Sequence, residues 1–129
     1  MEFKYDEVLD LWVAETDFQE MKTKVRLYCG DDDDLTALAA MALNDVKSKW
    51  EQLKAAMISE LYPQYCDQGN REMSADEFSS LLRLKTIDFD TIDVMYTLFC
   101  FDSGLFGGHS IQVLWDPEAE FHADVSLVG

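Results

Sequence analysis

A chain of 129 residues is long enough for one core and too short for two. Apolar residues make up 48% of it and aromatics 12%, which excludes disorder, and no apolar run approaches the ~18 residues of a membrane helix. Its 26 acids outweigh 10 bases to leave a net charge of −16, which repels phosphate backbones and sets the chain against nucleic acid.

That charge exceeds what solubility asks of a small domain, roughly 2 to 8 in magnitude. It attracts and steers a basic protein partner. The general acidity of a bacterial or halotolerant cytoplasm accounts for it equally well. The first ten residues, "MEFKYDEVLD", are acidic and lack a basic-then-apolar leader, which leads us to expect a cytoplasmic protein. Cys29, Cys66 and Cys100 are odd in number and widely spaced, a pattern of reduced thiols rather than of a disulfide framework.

The chain opens on strands. "FKY" is short, and "VLDLWVA" alternates imperfectly, with Leu9, Leu11 and Val13 on one side and Trp12 on the other. "MKTKVRLY" alternates cleanly: Met21, Thr23, Val25 and Leu27 face one way, Lys22, Lys24 and Arg26 the other. This predicts a half-buried strand with a solvated basic face, and residues 1–28 read as an antiparallel meander.

"GDDDDL" then opens a long helix over 33–62. Leu35, Leu38, Ala39, Ala42, Val46, Trp50, Leu53, Met57 and Leu61 recur at spacings of three and four, and Pro63 is expected to stop the helix. The four aspartates 31–34 lack the alternating ligands, central glycine and final glutamate of an EF-hand. They read instead as acids in and before a first helical turn, offsetting the helix dipole. A second helix is expected over 74–83, with Ser74 and Glu77 as a capping box and Met73 stapled onto Phe78. Strands fill 84–129: "LKTIDFD", "VMYTLFCFD", "HSIQVLWD" and "EFHADVSLV". The expected class is α+β in a single domain: an antiparallel β-sheet, made of the N-terminal meander and the C-terminal strands, with two helices inserted between and packed on one face.

Between the second and third of these strands lies "FDSGLFGGHS" (101–110), which holds three of the six glycines and one of the two histidines. It reads as a hairpin connection whose glycines supply unusual backbone conformations. By the two-residue period His109 heads an apolar row with Ile111, Val113 and Trp115, the place of a structural histidine. "GHSIQ" resembles a nucleophile elbow, but Gln112 replaces the last glycine and a strand follows where a helix is required. No catalytic residue is assigned. Cys100, His109 and His122 lack zinc-site spacing, so no metal or cofactor is expected. If the loop does bind a ligand or partner, Asp102, Phe106, Gly108 and His109 are the candidate residues.

The two ends together resemble the bacterial family catalogued as domain of unknown function 2262. That family shows an F-x-Y-D start, a central helical region and a G-H-x-I-x-V motif in this order. The matching residues here are Phe3, Tyr5, Asp6 and Trp12 at one end, and Phe106, Gly108, His109, Ile111 and Val113 at the other. An aromatic residue often precedes the family's G-H pair, where this chain has Gly107. The resemblance implies a bacterial, soluble protein with no established activity.

Two functions follow as expectations. The first is a protein-binding, immunity-like module that neutralises a basic, toxin-like protein. The second is a small-molecule binder or enzyme using the 102–109 loop. Acids gathered on one face favour the first; a concave pocket lined by His109 favours the second. A purely structural role needs neither arrangement.

Overall fold

The computed structural model describes residues 1–69 and 72–129, in which seven strands form one sheet in chain order. β1 (Phe3–Asp6), β2 (Leu11–Phe18) and β3 (Met21–Tyr28) make the meander. Two helices follow, α1 (Leu35–Asp67) and α2 (Ala75–Ser80). β4 (Arg83–Asp90), β5 (Met95–Phe101), β6 (Ser110–Trp115) and β7 (Ala123–Val128) complete the sheet. This is the expected α+β class, and every neighbouring pair but one is antiparallel.

The exception is β3 with β4, which run parallel, Lys24 opposite Thr86 and Leu27 opposite Phe89. Parallel neighbours need a long crossover. The helices supply it by carrying the chain from the end of β3 back to the level at which β3 began. That single connection decides which turns share an end of the sheet.

Opposed residues in a ladder share a face. Val25, Ile87, Leu98 and Val113 therefore line one side together, and all four are fully buried. Phe89, Tyr96 and Trp115 stack beside them with ring centroids 4.5 and 5.0 Å apart. Full burial of such a side chain stabilises by roughly 1.5–3 kcal/mol. Lys24, Arg26, Thr97 and Phe99 lie on the other face, which neither helix covers.

The predicted stripe lays α1 on the buried face. Ala39, Ala42, Val46, Trp50, Leu53, Met57 and Leu61 are buried, as the spacing requires, while Leu35 and Leu38 pack at its margin. Across this seam the Tyr96 hydroxyl donates to the Asp45 carboxylate at 2.6 Å, which ties helix to sheet.

Pro63 does not end the helix, which runs on to Asp67. An interior proline removes one helical hydrogen bond and crowds the preceding turn. Here packing outweighs that cost. Tyr65 extends the stripe into the core, with Phe78 and Phe106 at 5.8 and 6.2 Å, and the Tyr62 hydroxyl donates to the Met73 carbonyl at 2.5 Å.

The start also differs. No acid lies in the first turn: Asp34 is the N-cap, accepting from the Ala37 N–H, and Asp33 accepts from the Gly30 N–H at 2.7 Å. α2 begins at its predicted Ser74 cap, which accepts from the Glu77 N–H, but it ends at Ser80 because Arg83 already belongs to β4.

Candidate functional site

Asp102 organises the glycine loop. Its carboxylate accepts from the N–H groups of Gly104, Phe106 and Gly108 at 3.0, 3.0 and 2.9 Å. Burial by itself would raise the pKa of this acid, but the three donors bring it below the ordinary carboxylate value. Phe106 turns inward, edge-on to Tyr65 and Phe78. The loop thus brings Asp102, Phe106 and Gly108 together as a folded plug.

His109 departs from its expected place. Gly107 and Gly108 take left-handed backbone conformations, φ +74° and +88°, and the regular pleat begins only at Ser110. His109 therefore stands outside the apolar row and is exposed, with Nδ1 2.7 Å from the Gly129 carbonyl oxygen. The apolar row predicted from the two-residue period, with His109 beside Ile111, Val113 and Trp115, therefore begins at Ile111. His109→Gln should cost under about 1 kcal/mol in a denaturant melt, the cost of one exposed hydrogen bond.

His122 hydrogen-bonds Asp124 at 2.9 Å, and both side chains are well exposed. Ser59 borders the same shallow groove, but among the described residues no hydrogen bond links it to His122. Cys100 lies buried in β5, and burial pushes its thiol up to about 12, which leaves it a packing residue. Among the described residues no helix is long and apolar enough to cross a membrane.

The acids are gathered. Strand directions place four connections at one end of the sheet: β1–β2, β3–α1, β4–β5 and β6–β7. They carry Glu7 and Asp10; Asp31, Asp32, Asp33 and Asp34; Asp93; and Asp116, Glu118 and Glu120, with no lysine or arginine. Among the described residues none of these acids makes an ion pair. Across seven strands at ~4.8 Å spacing this end is about 30 Å wide, the scale of a protein-docking patch.

Two of the turns are built alike. The Asp6 carboxylate accepts from Val8 and Leu9 N–H groups, and the Asp90 carboxylate accepts from those of Ile92 and Asp93. Such aspartate-closed turns fix the loop locally. The residues they push outward are apolar: Val8 is 93% exposed and Ile92 82%. Val94, a β-branched residue, is held at φ +52°, a conformation its side chain disfavours. Thr91 anchors the same turn to the Tyr28 carbonyl through its N–H and its hydroxyl.

The uncovered face of the sheet holds a second feature. A cleft of about 490 Å³ is lined by Lys22, Lys24 and Arg26 of β3, Lys85 of β4, and Phe99 and Phe101 of β5. Arg26 forks onto the Asp88 carboxylate through Nε and Nη2. Burial holds that carboxyl above its usual range despite the guanidinium. The lysine row was legible as a basic face; its alignment with the phenylalanines of β5 was not.

Comparison with family models, curated proteins and solved structures finds no match to this chain.

Proposed function

We propose that this is a protein-binding module of the immunity type, which docks a basic protein against the acidic end of its sheet and blocks a cationic surface. One observation carries the reading: unpaired acids from four turns share one end with outward-facing Val8 and Ile92. Charge alone steers a partner but holds it weakly once salt screens exposed groups over ~8 Å. Apolar anchors inside a charged rim supply what steering lacks. The turns that present them are rigidly closed, so little order need be lost on binding. The resemblance of the chain's ends to domain of unknown function 2262 supports a small bacterial domain and names no partner. A cytoplasmic setting suits a module that shields its own cell.

Affinity capture of basic host proteins tests this at ~50 mM and ~500 mM salt, beside two variants. Asp31→Asn/Asp32→Asn/Asp33→Asn should weaken capture at least tenfold at low salt. Ile92→Ser should weaken it several-fold at both salt levels, because an apolar contact is not screened. Capture that ignores both variants would defeat the proposal.

A further inference from the structure

We infer that the cleft on the uncovered face is a second binding site, one that takes a small organic anion with a flat apolar body. This goes beyond the acidic-end reading and does not depend on it. In a chain of net charge −16, four of the ten bases converge on this cleft. Two of them are already committed, Arg26 to Asp88 and Lys22 to Asp17. Lys24 and Lys85 make no ion pair among the described residues, although Glu15 stands opposite Lys24 in the ladder. Two ammonium groups free of ion pairs suit a ligand that carries negative charge.

A break in the ladder sets the geometry. The pairing of β4 with β5 shifts between Leu84 and Thr86, and Lys85 is the residue left over. Such a bulge re-aims a side chain. It places the Lys85 ammonium 5.4 Å from the centroid of the Phe101 ring, while the Arg26 guanidinium lies 6.0 Å from that of Phe99. Phe101 remains 42% exposed, so part of its ring is open to a ligand. The floor therefore offers two rings flanked by cations, and no helix closes it. From β3 to β5 is two strand spacings, roughly 10 Å. That span accommodates a fused ring system with its anionic group against Lys24 or Lys85. The volume of about 490 Å³ falls within the range of small-molecule sites.

The test is an amide-resolved NMR titration of the whole chain with the aromatic sulfonate 8-anilinonaphthalene-1-sulfonate. Shifts should concentrate at Lys24, Thr86, Phe99, Phe101 and Ser110 and saturate at one equivalent per chain. Lys85→Glu should weaken binding about tenfold, and Phe101→Ser several-fold. Both residues are exposed, so the variants should keep the parent spectrum elsewhere. A cationic dye of similar size should leave these amides unmoved. Shifts centred on the groove beside His122, affinities unchanged in both variants, or no saturable binding at millimolar probe would overturn the inference.

Discussion

Trp50→Ala should lower the unfolding free energy by about 3–5 kcal/mol, the range for deleting a large buried aromatic. Trp50 is 4% exposed at the middle of the helical stripe and packs edge-on against Phe18 with ring centroids 5.3 Å apart. Its indole Nε1 is buried with no hydrogen-bond partner among the described residues, so in their packing it is an orphaned donor that costs stability. Trp50→Phe removes that donor while keeping most of the ring, and should cost less than half as much. Urea melts would show the alanine variant with a lower midpoint and an unchanged slope. A loss under about 1 kcal/mol would mean that the helix does not seat this face on the sheet.

Asp102→Ala should be the second large effect, about 3 kcal/mol or more. It strands three N–H groups, that of Phe106 buried and those of Gly104 and Gly108 partly so, and a buried unsatisfied donor costs roughly 1–3 kcal/mol. Asp102→Asn keeps one oxygen acceptor and should fall between. The pH dependence has a definite sign. The folded-state pKa of Asp102 lies below the unfolded value of ~3.9, so its contribution is complete above that value and is lost as pH falls through the folded pKa. A wild-type chain should therefore lose stability below about pH 4 more steeply than Asp102→Asn does. Equal slopes would separate the loop from its carboxylate.

The helical stripe was legible because its period is local: residues three and four apart must share a face wherever the helix lies. The same holds for the alternation of β3. Pro63 misled because its local cost is outweighed by contacts of Tyr65 with Phe78 and Phe106, which are distant in sequence. His109 misled because the pleat from which its face was counted starts one residue later, after two glycines with positive φ. The acidic end could not be read at all. Had β4 run antiparallel to β3, Asp93 and Glu118 would lie at the opposite end from the aspartates 31–34. Only the parallel crossover brings them together. The cleft depends on register in the same way, since nothing local aligns Lys24 with Phe99.

Hydrogen–deuterium exchange of the chain with and without a captured basic partner tests the central claim most directly. The account predicts protection in 7–10, 30–34, 91–94 and 116–120, and little change in the 102–109 loop or on the uncovered face of the sheet. Protection confined to that loop or to that face, with the four acidic turns exchanging as they do in the free chain, would contradict it.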